Sequence, residues 1–280
     1  MTPSHTSLSN FFGAKKVIIT GGSSGIGKAL AHGLLRHGAQ VVIVSDRMDR
    51  LELALKEFEA EGLRANALPC DLAKGEEIVS LAGRVVREFG APDILVNNAG
   101  FAVYRTFEQS SLDEIDRLLE VNLLASLRLT RCFLPEWIQR RSGIIVNMAS
   151  VAGTMVITPN ATYCTAKHGL VSWSECLRYE LARFNIQVNV ICPGRVLTPF
   201  FDHETFRLRE PRPETGYTLS LSRVVEGTLE GIVKNRFMTY IPRTLGMLSW
   251  LKRALPFIVN PVYRNLMLNR IDSVYNRRSP

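Results

Sequence analysis

Residues 17–27 read Val-Ile-Ile-Thr-Gly-Gly-Ser-Ser-Gly-Ile-Gly, an apolar run that passes straight into a turn with glycines at 21, 25 and 27. This feature constrains the fold most. Glycine permits a tight strand-to-helix turn and lets an anion approach the backbone. A helix starting there aims free N–H groups and the positive end of its dipole at that anion. Leu30, Leu34 and Leu35 recur at helical spacing behind the turn. The turn therefore fits a pyrophosphate, with a plain strand-to-helix connection as the competing reading.

The rest of the first 200 residues repeats that alternation. Short β-rich runs at Val17–Thr20, Val41–Val44, Ala65–Pro69, Ile94–Asn97, Ile144–Asn147 and Val188–Cys192 are separated by stretches with a period near 3.6, such as Ile115/Leu118/Leu119/Leu123. Continuous apolar strands between helices imply a parallel sheet covered on both faces. The expected class is α/β, a doubly wound parallel sheet in three αβα layers. With 280 residues, 46% hydrophobic and 21% charged, the chain fits one large domain and is neither disordered, collagen-like nor a polytopic membrane protein. Five cysteines, widely spaced and without a CxxC pair, read as reduced thiols of a cytosolic-type compartment. No metal-ligand spacing appears, and neither a signal peptide nor a membrane span is expected.

The end of the second apolar run should read an adenosine ribose. There the chain has Ser45-Asp46-Arg47. A carboxylate binds two ribose hydroxyls and repels a 2′-phosphate, which favours NAD. An arginine favours NADP. Ser24, before Gly25, is not a base. The expectation is NAD or NADP, with NAD slightly preferred.

In addition, Thr20–Gly27, Cys70-Asp71-Leu72, Asn97-Asn98-Ala99-Gly100, Val121-Asn122-Leu123, Asn147-Met148-Ala149-Ser150, Tyr163-Cys164-Thr165-Ala166-Lys167 and Pro193–Thr198 occur in order. In these seven motifs the chain closely resembles the short-chain dehydrogenase/reductase family, of the single-domain type, over about residues 14–200. The resemblance implies a Rossmann fold and nicotinamide chemistry. It implies a cofactor bed of Gly21, Ser23, Ser24, Gly25, Ile26 and Gly27 in the turn, with Asp46 and Arg47 beside the ribose. Asp71 and Leu72 would lie near the adenine, and Asn98, Ala99 and Gly100 on the adenosine side. Pro193, Gly194, Val196 and Thr198 would hold the nicotinamide carboxamide. The implied catalytic set is Asn122, Ser150, Tyr163 and Lys167, the last two also touching the cofactor.

The residue types suit that chemistry. Tyr163 and Lys167 are four apart and share a helix face. A phenol with a pKa near 10 exchanges protons poorly at neutral pH, and an adjacent ammonium should pull it down. Tyr163 would then protonate a carbonyl oxygen or deprotonate an alcohol. Ser150 would position that oxygen, and Asn122 would hold a water linking Lys167 to solvent. The expected activity interconverts a ketone and a secondary alcohol. The rival is a dinucleotide-binding sensor or membrane-associated scaffold without turnover, against which the complete catalytic set argues.

Val151–Ile157 is small and apolar, and the loop at about 199–221 carries Phe200, Phe201 and Phe206. A hydrophobic substrate follows, lipid-like or steroid-like, since the sequence loosely resembles the branch with 3-ketosphinganine reductases and hydroxysteroid dehydrogenases. The expected domain spans 1–235, followed by a basic amphipathic C-terminal helical extension at 236–280. The extension holds eight basic side chains and one acid, a net of +7 out of the chain's +8. Within Thr244–Val259, Leu245, Met247, Leu248, Trp250, Leu251, Leu255 and Ile258 fall on one broad helical arc. Apolar and aromatic residues mixed with bases fit an anionic membrane surface. Packing on the protein itself or on a partner subunit is the alternative. Nucleic acid is not an expected partner. The expected assembly is a homo-oligomer, dimer or tetramer, in the cytoplasm or peripheral on a membrane.

Overall fold

A computed structural model of the protein describes residues 4–202, 204–208 and 218–275. The strands are β1 Lys16–Thr20, β2 Gln40–Ser45, β3 Asn66–Pro69, β4 Ile94–Asn97, β5 Gly143–Met148, β6 Ile186–Pro193 and β7 Met238–Ile241. The helices are α1 His5–Phe12, α2 Gly25–Arg36, α3 Met48–Ala60, α4 Gly75–Phe89, α5 Leu112–Leu119, α6 Ala125–Arg140, α7 Ala161–Leu181, α8 Leu221–Val233, α9 Thr244–Ala254 and α10 Pro256–Tyr275. The strands form one parallel sheet of order β3-β2-β1-β4-β5-β6-β7. This is the doubly wound Rossmann arrangement.

Alternation along each strand divides the core into two layers. Val17 and Ile19 pack on one side with Leu30, Leu34, Phe58 and Ile232. Ile18 points the other way, to Ile78, Phe133, Trp137 and Leu177. The Trp137 indole donates to the Pro92 carbonyl at 2.6 Å, so burying this ring leaves no orphaned N–H. β1 pairs with β2 through Val17↔Val41 and with β4 through Val17↔Ile94. The strand order reverses between β1 and β4, and a crevice opens beyond their C-terminal ends.

Three features differ from the sequence expectations. A seventh strand lies past residue 235, in register with β6 from Val190↔Met238 to Pro193↔Ile241. The sheet therefore extends beyond the expected boundary, and the extension proper starts after Ile241. Second, the expected single helix over Thr244–Val259 is two helices. Pro256 opens α10, its ring disfavours the helical region for the preceding residue, and Leu255 ends α9 at φ −128° and ψ 58°. Third, the loop expected at 199–221 starts from a built base, where Val196 bridges Leu219 and the Leu219 N–H donates to the Arg195 carbonyl at 2.9 Å. His203 and residues 209–217 of that loop, with Arg277 and Arg278 of the basic tail, lie outside the described residues. No helix among the described residues is long and apolar enough to cross a membrane.

Candidate active site

The glycine turn stands at the end of β1. Gly21 has φ +63° and Gly25 φ +52°, in the region that favours glycine. A Cβ on Gly21 would lie 2.9 Å from the Ala99 Cα, so the turn closes tightly on the end of β4. The Asn98 amide locks it there by donating to the Thr20 carbonyl at 2.9 Å and the Gly21 carbonyl at 3.2 Å. Asn98 therefore braces the turn. Gly27 packs against Gly21 and Asn98, which makes it a packing glycine. Ser24 caps α2 with no side-chain hydrogen bond to the first turn, so the initial N–H groups face the crevice. The donors and the missing side chains fit a dinucleotide pyrophosphate.

The crevice is a cleft of about 940 Å³ that runs from Asp46 and Asp71 past Gly21 and Ser150 to Phe200. All the expected cofactor residues except Gly27 line it, while Asn122 lies behind the wall. At the adenosine end, Arg47 binds Asp49 through two hydrogen bonds of 3.0 and 2.8 Å. Arg117, on α5, was not singled out from the sequence. Its guanidinium reaches both Asp71 oxygens at 3.4 Å and Asp46 at 3.8 Å. Asp71 keeps a pKa below the ordinary carboxylate value: burial opposes this, but the Ala73 N–H and Arg117 outweigh it. Asp71 is thus fixed by protein groups as well as facing the cleft.

At the other end, β5 delivers Ser150. The Ser150 hydroxyl accepts from the Ala152 N–H at 3.1 Å, which fixes its oxygen and turns its proton towards Tyr163. Tyr163 and Lys167 come from the first two turns of α7. Lys167 is buried, donates to the Met148 carbonyl at 2.9 Å and stands 5.7 Å from the Tyr163 ring centre. Burial lowers its pKa to about 8. Burial also raises the Tyr163 phenol above its ordinary value of 10, although the hydrogen bond with Ser150 acts the other way. The sequence expectation was the reverse, a phenol pulled down by the ammonium. Lys167 is buried and Tyr163 half-buried at the cleft, and for both the loss of solvent is the largest cause of the shift.

Asn122 lies on a π-helical turn, Glu120–Leu124, that interrupts the helical run after α5. Such turns occur often at functional sites. Its amide donates to the Phe101 and Leu118 carbonyls, both at 3.0 Å. Its buried Oδ1 has no partner among the described residues. A Cβ on Gly100 would meet that Oδ1 at 2.5 Å and the Lys167 Nζ at 3.5 Å. The two groups therefore flank one glycine, and side chains are kept out from between them. Behind them, Asn97 donates to Asn147 at 2.8 Å and Asn147 to Ser174 at 2.8 Å, a buried polar chain joining β4, β5 and α7. His168 donates to or accepts from nothing in the cleft and is held on its own helix at the Cys164 carbonyl.

An aromatic wall covers the reacting end. Phe200 meets Tyr163 edge-on at 5.8 Å, Phe201 meets Phe206 at 5.2 Å, and Tyr104 lies 5.6 Å from Phe206. The Tyr104 N–H donates to Thr205 at 3.0 Å, which ties the loop to the body. Tyr104 was not foreseen, since nothing around it in the sequence marks a site.

Residues 15–207 match the family model described as short chain dehydrogenase. The chain is 30% identical to estradiol 17-beta-dehydrogenase 11 of Mus musculus over 261 residues, 92% of this chain and 85% of that protein. It is 37% identical to the ketoacyl reductase HetN of a Nostoc species over 182 residues, 65% of this chain, and spans 63% of that relative's length. Among solved structures it is similar to a short-chain dehydrogenase from Sphingobium yanoikuyae in complex with NADPH, with TM-score 0.75, 27% identity and coverage of 86% and 94%. It is also similar to a short-chain dehydrogenase/reductase from Burkholderia phymatum in complex with NAD, with TM-score 0.78, 25% identity and coverage of 88% and 95%.

Proposed function

Because the chain belongs to the short-chain dehydrogenase/reductase family of NAD(P)-dependent oxidoreductases, we propose that it interconverts a ketone and a secondary alcohol on a hydrophobic, lipid-like or steroid-like molecule. The observation that carries this reading is the aromatic wall of Phe200, Phe201, Phe206 and Tyr104, which meets the Tyr163 ring through Phe200 and lines the cleft. A polar substrate would gain little from it, whereas an apolar one is desolvated against it.

Bound NAD(P) supplies the hydride. The residues of this chain do the rest. Ser150, hydrogen-bonded to Tyr163, donates a hydrogen bond to the substrate oxygen when that oxygen sits between them, and so orients the carbon. Tyr163 delivers a proton to that oxygen in reduction and removes it in oxidation. Lys167 stabilises the phenolate when its own ammonium forms, below about pH 8. Asn122 presents Oδ1 to a water that passes protons between Lys167 and solvent.

At the adenosine end, Asp46 supports NAD as the slightly preferred cofactor. Arg117 moderates that preference, because its guanidinium partly neutralises Asp46 and, with Arg47 and Arg50 of the same lining, offers a base to a 2′-phosphate. A dimer or tetramer is part of the same reading. The test is a panel of hydrophobic ketones and alcohols run with NADH and NADPH, comparing the parent with Tyr163→Phe. A loss of about 10²–10⁴-fold in kcat is expected. Full retention by Tyr163→Phe on the best substrate would falsify the mechanism.

A further inference from the structure

The two helices after the last strand have different faces. On α9, Leu245, Ser249 and Lys252 lie inward at helical spacing. On α10, Tyr263, Met267, Arg270 and Val274 do the same. These residues fasten the pair to the wall of the cleft. Leu245 would lie 2.9 Å from a Cβ on Gly194. Thr158 donates to the Met267 carbonyl at 3.0 Å, Tyr263 donates to the Val156 carbonyl, and Arg270 lines the cleft itself. Lys252 stands 4.1 Å from the Tyr263 ring centre and joins the two helices.

The outward side is uncovered and rich in large apolar residues, with Asn265, Asn269 and Asp272 as polar positions on α10. Met247, Trp250, Phe257, Ile258, Val262 and Leu266 are each more than half exposed. Arg253 and Arg264 accompany them, and Asp272 is the only acid on either helix. We propose that this outer face of α9 and α10 docks on an anionic lipid surface. Large apolar and aromatic side chains interspersed with bases suit the boundary between headgroups and acyl chains. A second copy of the chain fits worse. A two-fold contact sets each patch against itself, so it gathers Arg253 and Arg264 of both copies into one interface with Asp272 as the only acid either patch can offer.

Docking has a consequence for the cleft. The element that meets the lipid on one face walls the substrate space on the other, through Arg270. The rim of the cleft is thereby held at the bilayer surface, and an apolar ketone passes towards Tyr163 with little exposure to water. This last step rests on the proposed function; the docking does not.

The test is flotation of the full-length protein, loaded with NAD(P), with phosphatidylcholine vesicles that contain or lack phosphatidylglycerol. The parent should float with the anionic vesicles at low salt and detach at high salt. Arg253→Ser with Arg264→Ser should lower vesicle affinity about 25-fold, at about fivefold per base. Trp250→Glu with Val262→Glu should abolish flotation and leave turnover of a water-soluble ketone unchanged, which shows that the variant is folded. Absence of flotation of the parent at low salt would overturn the proposal. So would a dimer in sedimentation that Trp250→Glu with Val262→Glu dissolves while vesicles fail to bind. Flotation by a protein inactive on every ketone would sustain the docking and remove the proposed function alone.

Discussion

Replacing Lys167 by methionine separates what this residue does in catalysis from what it costs the fold. The residue is 4% exposed, and burial brings its pKa from 10.5 to about 8, with Cys192 opposing. At about 1.4 kcal/mol for each tenfold change, keeping Lys167 charged in the folded, cofactor-free protein at neutral pH costs about 3 kcal/mol. The folded pKa lies below the unfolded one. Between 8 and 10.5 the unfolded chain therefore binds more protons, and stability rises with pH through that window and levels off above it. Methionine carries no such charge. It also loses the bond to the Met148 carbonyl, worth about 1 kcal/mol, but a neutral amine keeps that bond, so the loss does not depend on pH. Cys192 is pushed up to about 12 and Tyr163 upward as well, so neither titrates in the folded protein within the window. Urea unfolding of cofactor-free parent and Lys167→Met should show the parent gaining about 3 kcal/mol on the variant from about pH 7 to about pH 10.5. In melting temperature that is roughly 5–10 °C. Parallel stability curves for the two proteins would refute the assignment of Lys167 as a strained buried cation.

Other consequences are as direct. Since burial holds Tyr163 protonated, the ratio of alcohol oxidation to ketone reduction should climb with pH, and a flat ratio in initial rates contradicts the role given to the phenol. Arg117→Ala should raise the KM for NADPH more than that for NADH, and Asp46→Ala should do the opposite; equal changes in both would show that this pair does not read the ribose. Gly21→Ala should lower stability by about 1–2 kcal/mol, the usual cost of a left-handed backbone for an L-residue, and weaken NAD(P) binding measured by fluorescence titration. Phe200→Ala should raise KM for a bulky apolar ketone at least tenfold while leaving a small ketone nearly unaffected; equal effects would remove Phe200 from substrate recognition.

The sheet and most of the cleft could be read from the sequence because they follow local rules. Each of the first six strands is a short apolar run, and the expected site residues fall within compact motifs, most at strand ends and the others on helices, Asn122 after α5 and Tyr163 with Lys167 on α7. β7 escaped because Met238-Thr239-Tyr240-Ile241 is only four residues long, puts a threonine on its inward face and is neither continuously apolar nor alternating. Arg117 escaped for another reason. It meets Asp46 and Asp71 across 71 and 46 residues of chain, and nothing in the sequence of α5 marks that approach. The π-helical turn at Asn122 is equally silent, since the one extra residue that shifts the phase of the helical pattern leaves no mark in residue type. For Tyr163 the motif gave the right neighbours and the wrong direction of pKa, because four-residue spacing reports proximity and not the depth of the wall that holds both groups.

The bridge between Val196 and Leu219 fastens both ends of the segment that carries the three phenylalanines, immediately beside the sheet. A segment tethered in this way is a closed loop whose ends do not move when its contents change. Doubling the length of such a loop costs only about 0.6 kcal/mol in closure entropy. The span between Val196 and Leu219 can therefore be exchanged for one of different size and composition while Ser150, Tyr163 and Lys167 keep their places. In this protein, substrate range and proton chemistry are separable parts, and the bridge marks where one can be cut from the other.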